Sequence, residues 1–277
     1  MSLGRALAGG ATAGVVFAGV LALTFPTDAV VRHALARVTP PAGSAIVFGH
    51  ATLRPSGFRL EPVALRRPDG TALAAADWVV VRPSLPGLLH DGTGRPWRAR
   101  GRACGGDVEA VLERDDAVAL TWHDIDLAGC PLFAVRGETI AGRVDGAATL
   151  RDQAGDGTLH VRDGVWSSAG HLVPGMSALH AEDATVRWTL HEGELDLPTI
   201  DLTGREVRMT GTGKILLATP LDLSALDIGV TLAPGPGASG LLRTLLAALP
   251  PSAGERPDAR RIAVGGTVGE PRLAVVP

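Results

Sequence analysis

DATVRWTLHEG, residues 183–193, alternates apolar and polar side chains without a break. Ala184, Val186, Trp188 and Leu190 fall on one side of an extended chain, with Thr185, Arg187, Thr189 and His191 on the other. A period of two specifies a strand with one covered and one wet face, as in antiparallel sheet. His191-Glu192-Gly193 then supplies a hairpin turn.

The pattern extends both ways from this stretch. Downstream, residues 194–203, 206–217 and 221–232 continue it, with phase shifts near Pro198 and Ser224. Upstream, Leu159 and Val161 share a side, as do Ile140, Val144, Ala148 and Leu150, and Val118, Leu120 and Trp122. Strands are also expected from Ala45, in AIVFGHATL, and in GFRLEPVALR, residues 57–66. In the latter, Phe58 and Leu60 give way to Val63 and Leu65 after a one-residue slip at Pro62, which a bulge or edge kink would explain. Residues 72–81 read as a further strand, and SLPGLLHDG, residues 84–92, as a turn with a short helix. Strands this long predict a twisted, curved sheet around one elongated core.

Two helical stretches interrupt the β pattern. After PGPG at 234–237, Ser239 can cap GLLRTLLAALPP, in which Leu241, Leu242, Leu245, Leu246 and Leu249 make a broad apolar face. Too short to cross a bilayer, this helix is expected to plug the open end of the sheet, a membrane or partner contact being the other reading. Residues 262–276 then give a strand, a turn at 269–271 and a last strand.

Residues 6–25, ALAGGATAGVVFAGVLALTF, carry no charge. As a helix they would span roughly 30 Å, the hydrocarbon thickness of a bilayer, and they are read as a transmembrane anchor. A cleaved signal peptide competes, but its apolar region is usually about 7–15 residues, and no small-x-small cleavage site precedes Phe25-Pro26. Ala6, Gly10, Gly14, Ala18 and Ala22 recur every fourth residue and offer a close-packing face to another membrane helix, unless they reflect composition alone. The expected organisation is a short cytoplasmic N-terminus at 1–5, the anchor at 6–25, a juxtamembrane helix at 26–41 capped by Thr27 or Asp28, and a β-rich domain at 42–277. No linker enforces a boundary within that domain.

Composition removes several function classes. The net charge is -3, Lys214 is the only lysine, and the arginines are scattered among acids, so nucleic acid is not an expected partner. Tyrosine is absent, which leaves base stacking unsupported. Cys104 and Cys130 are too few for a thiolate zinc site. Outside the cytoplasm they would pair, closing a loop worth about 3 kcal/mol; otherwise they are two buried thiols. The bridge is the reading adopted, and it favours export of the β domain.

Sites of chemistry are sparse. The eight histidines include no HExxH. His123-Asp124-x-Asp126 is the densest metal-ligating group, yet on a regular strand Asp124 and Asp126 face one way and His123 the other. GTGK at 211–214 has Arg208 where a phosphate loop needs its first glycine and Ile215 where it needs Ser or Thr, and reads as a closely packed strand. Ser177 and His180 lack a supporting acid motif, and Asp115-Asp116 and Glu182-Asp183 read as solvated turn residues. The chain is therefore expected to be no enzyme, with no cofactor and no metal.

The LTFP that ends the anchor, GFRLEPVALR, SLPGLL, GGDVEAVLE, IAGRVDGAATL, GTGKILLATPLDLSALDIGVTL, LLRTLLAALP and VGGTVGEPRL resemble, in order, the type II secretion system protein N family (GspN). The same grammar resembles the periplasmic part of AsmA-like proteins. The first resemblance implies a single-pass inner-membrane protein of a Gram-negative bacterium with a periplasmic β domain. It would be an accessory scaffold of the type II secretion system, partnered by other components of that machinery. The second implies an apolar groove that binds or transfers lipid. Neither supplies catalytic residues.

Overall fold

The computed structural model describes residues 28, 45–54, 57–67, 69–83, 97–112, 117–130, 138–152, 154–168, 178–219, 221–250 and 258–276. The anchor at 6–25 with its small-residue stripe, all of 26–41 except Asp28, and SLPGLLHDG at 84–92 lie outside them. The elements are β1 (Ala45–Arg54), β2 (Gly57–Arg66), β3 (Ala72–Pro83), β4 (Trp97–Ala103), β5 (Gly106–Leu112), β6 (Val118–Asp126), β7 (Glu138–Arg151), β8 (Ala154–Ser168), β9 (Leu179–His191), β10 (Glu194–Gly204), β11 (Val207–Leu216), β12 (Ala225–Pro234), helix α1 (Gly240–Ala248), β13 (Arg260–Gly266) and β14 (Pro271–Val276). They form a single curved 14-stranded sheet in which every strand pairs, antiparallel, with its neighbours in sequence. Turn chemistry accounts for this order. Cys104-Gly105 and Glu192-Gly193 both occupy the left-handed region, at φ 49 and 77 and at φ 50 and 84, which matches a two-residue turn to strand twist.

The pleat sorts the whole sheet into two faces. One row of directly opposed residues runs from Ala51 on β1 through Leu60, Val79, Gly101 and Val108 to Trp122 on β6. It continues through Gly146, Leu159, Val186, Ile200, Gly211, Val230 and Ile262 to Val275 on β14, without meeting a polar side chain. A second row on the same face starts at Leu53, Phe58 and Val81 and ends at Ile228, Val264 and Leu273, interrupted only where β10 bulges. The reverse face is polar, as in the row Asp145, His160, Thr185, Asp201, Thr210 and Thr231. Strand β11 displays the division most cleanly: its odd-numbered residues are covered and its even-numbered residues exposed along its full length.

The expected single elongated core is replaced by two small clusters. Phe48 and Leu60 pack with Ala51, Phe58 and Val63 near one edge. Near the other edge, Leu242 and Leu246 of α1 cover Val207, together with Leu179 and Leu232. Helix α1 therefore packs on the sheet as expected, with Ser239 as its N-cap accepting the N–H of Leu242 at 3.2 Å. Between the clusters, no described element forms a second layer over the apolar face.

Several local expectations need correction. Pro62 causes no bulge, because β2 holds one register with β1 and with β3 across it. Both paired strands change phase together: Phe48 opposite Val63 and Ala51 opposite Leu60 share one cluster although each pair is three residues from the other. Gly49 makes room, since a Cβ there would sit 2.8 Å from Pro62 Cδ. The shift near Pro198 is a bulge as expected, visible against both neighbours of β10. At Ser224 the chain instead makes a 3-10 turn, Leu221–Leu223, and Ser224, 1% exposed, accepts the N–H of Ala218. Glu182 and Asp183 lie within β9, not in a turn.

Candidate functional site

The apolar face is the feature of the sheet with the largest chemical consequence. Its residues come from every strand, so no short motif marks it; alternation places each residue and pairing joins them. Two tryptophans tighten it. Trp122 lies over Gly146, its direct partner on β7, where a Cβ would meet the ring at 2.4 Å. Trp188 lies over Gly157 on β8 in the same way, at 2.5 Å. A ring laid on a neighbouring glycine fills the space that the missing side chain leaves and flattens the face. Gly211 and Gly213, in the GTGK stretch, likewise sit under Val230 and Ile228, so these are closely packed strand residues.

Leu60, Val144, Ala148, Leu197, Val207 and Val230 are buried, and most of the remaining face is half-buried. An open depression reaches it at Leu197, Gly213, Ile228 and Ile262. Towards the sheet edges the exposure rises: Leu53 on β1 is 36% exposed and Leu273 on β14 is 74% exposed. The face can therefore accept apolar surface along its length.

Ionisable groups collect on the reverse face. His160 Nε2 lies 2.5 Å from Asp183 Oδ2, His180 Nδ1 3.1 Å from Glu206 Oε1, and His123 Nδ1 3.6 Å from Asp145 Oδ1. Asp145 also accepts the backbone N–H of Asp124 at 3.0 Å and pairs with Arg162 at 2.5 Å, which together hold its carboxyl below the ordinary range. Burial pushes the Glu206 carboxyl up, but the backbone N–H and ring of His180 outweigh it and leave the group lowered. These are pairs bridging neighbouring strands, the cross-strand contacts that stabilise a wet sheet face.

The His123-Asp124-x-Asp126 group departs from the regular alternation assumed for it. Asp124 has φ 55 and the β6–β7 register shifts between Trp122 and Ile125, so His123 and Asp124 are both exposed. Asp126 turns away to cap the 3-10 turn Leu127–Gly129. Among the described residues no three His, Cys, Asp or Glu side chains are grouped to hold a metal ion. His180 is committed to Glu206, while Ser177, Asp115 and Asp116 lie outside the described residues.

Cys104 and Cys130 form the expected disulfide, with Cα atoms 5.0 Å apart. It ties the β4–β5 turn to the segment that follows β6, where Asp126 also donates its N–H to the Cys104 carbonyl at 2.9 Å. Not expected from the sequence are the two glycines under tryptophan and the strands β4 and β5. The signal for β4 was present in WRARGRA, where Arg98, Arg100 and Arg102 alternate with small residues.

Fold and face together define an open, single-layer amphipathic β-sheet. No known protein family, curated protein or solved structure matches this chain. Among the described residues no helix is long and apolar enough to cross a membrane.

Proposed function

We propose that the protein binds and transfers lipid, its curved sheet holding acyl chains against the apolar face. The observation that supports this reading is the uninterrupted apolar row from Ala51 to Val275, which no second layer among the described residues covers. Burial of each methylene is worth about 0.8 kcal/mol, so one acyl chain along several strands is a substantial driving force. The anchor at 6–25 would hold the protein in the inner membrane, with 42–277 in the periplasm where the Cys104–Cys130 bridge is stable. Its role is to bind and not to catalyse. Full-length protein extracted from membranes should carry stoichiometric lipid by mass spectrometry, and Val186→Asp should lose it while keeping its β-sheet circular dichroism. Lipid-free wild-type protein would refute the reading.

A second reading follows from the resemblance to GspN: an accessory scaffold of the type II secretion system. It is favoured by the edge of β14, which among the described residues pairs only with β13 and can accept a partner strand. Crosslinking in native membranes should then recover secretion-system components. Normal exoprotein secretion in a deletion strain, with no such component recovered, would sink it.

A further inference from the structure

At the rim where β1 ends and β2 begins, the reverse face carries three arginines, two of which have no carboxylate partner among the described residues. Arg54 is the last residue of β1 and stands opposite Gly57, the first of β2. Gly57 in turn lies against Arg82 of β3, whose Cα is 3.1 Å from where a glycine Cβ would be. Arg82 is directly opposed by Arg98 of β4. Three arginines thus share one row across four strands about 4.8 Å apart, and the position between Arg54 and Arg82 carries no side chain.

The neighbouring ion pairs set this row apart. Arg59 pairs with Glu61, Arg100 with Asp107, and Arg98 itself with Glu109 at 3.1 Å. Arg54 and Arg82 are exposed and have no carboxylate within ion-pair distance among the described residues. Like charges directly opposed across a ladder destabilise it; Glu109 offsets the charge of Arg98, and an anion seated on the row would offset that of Arg82. On the other side of the same rim, Leu53 and Trp97 are 36% and 38% exposed, at the start of the apolar face. Cationic heads beside exposed apolar side chains at one rim match an amphiphile whose phosphate and chains separate there.

We propose that Arg54, Arg82 and Arg98 form the headgroup site for an anionic phospholipid, gripping its phosphate while the acyl chains pass over Leu53 and Trp97 onto the apolar face. This rests on the lipid-binding reading above and adds a choice of lipid class to it.

The test uses the full-length chain, delipidated in detergent, with fluorescent phosphatidylglycerol and fluorescent diacylglycerol of the same chains as probes. Wild type should prefer phosphatidylglycerol. Arg54→Ser should weaken that lipid by about tenfold, the worth of one charge-assisted hydrogen bond, and leave diacylglycerol unchanged. Arg82→Glu should weaken it further and yet raise the melting temperature, because it replaces an opposed like-charge pair with an opposite-charge one. Equal affinity of wild type for both probes, or an Arg82→Glu protein that keeps the wild-type preference, would overturn the headgroup site while leaving lipid binding intact. Binding of neither probe by wild type would overturn lipid binding, and this proposal with it.

Discussion

The tightest constraints on this protein act between single residues far apart in sequence. Trp122 needs Gly146, and Trp188 needs Gly157, because each ring occupies the volume of a missing side chain. Gly146→Ala should therefore cost about 1–3 kcal/mol, read as a lowered urea midpoint, because the new methyl would meet both the ring and the Thr158 carbonyl. Neither pairing was legible beforehand: a glycine in a strand announces a close approach without naming its partner. The His123-Asp124 irregularity was hidden for a related reason, since only the structure reveals that an aspartate takes the left-handed conformation and turns two neighbours the same way. Asp145 beside it offers a pH test. The backbone N–H of Asp124 and Arg162 hold its folded pKa below that of an ordinary aspartate, so its stabilisation is complete above about pH 4 and is lost as pH falls through the lower folded value. Asp145→Asn should flatten the fall of melting temperature on acidification in that range, most of all below pH 4.

Among elements, the sequence was most legible where strands are long and strictly alternating. Strands β10 and β11 follow their expected bounds to within a residue, since alternation and turn residues agree there, and β9 ends at His191 as expected but begins at Leu179, four residues before the expected stretch. Strand β4 escaped because its covered positions include Ala99, Gly101 and Ala103, too small to register as an apolar stripe. Its hold on the sheet is reinforced by the disulfide. Replacing Cys104 and Cys130 together with serine should cost about 3 kcal/mol under oxidising conditions, the chain-entropy value for a loop of this size, and the difference from wild type should vanish under reducing conditions, where the wild type has lost the bridge as well. Helix α1 was readable from its cap and its leucines. Ser239→Ala should cost about 1 kcal/mol, and Leu246→Ala about 2 kcal/mol or more, because Leu246 packs in the cluster on Val207. Circular dichroism with thermal melts would report both.

For the whole molecule, the β class follows from the alternation, and the tight turns at 104–105 and 192–193 account for two of the neighbour-to-neighbour pairings, while β12 and β13 pair across residues 235–259 with α1 between them. What alternation could not reveal is that, among the described residues, the covered side of the sheet faces no second sheet, because a strand with one apolar face reads the same in a sandwich and in an open layer. The two edges are also unlike each other. On β1 the N–H of Ala51 is taken by Asp28 Oδ1 at 2.5 Å, whereas β14 presents Leu273 on a free edge. Leu273→Lys should reduce self-association in sedimentation experiments with no loss of melting temperature, as expected for a charge placed on an exposed edge. The sequential ladder has a further consequence. Each strand pairs only with those just before and after it among the described residues, so the sheet resembles a linear repeat array, with the disulfide and α1 as its longer-range ties. Duplicating or deleting one hairpin would preserve strand direction and facial polarity on either side of the splice. The length of the apolar face is then a quantity that evolution, or an engineer, can adjust two strands at a time.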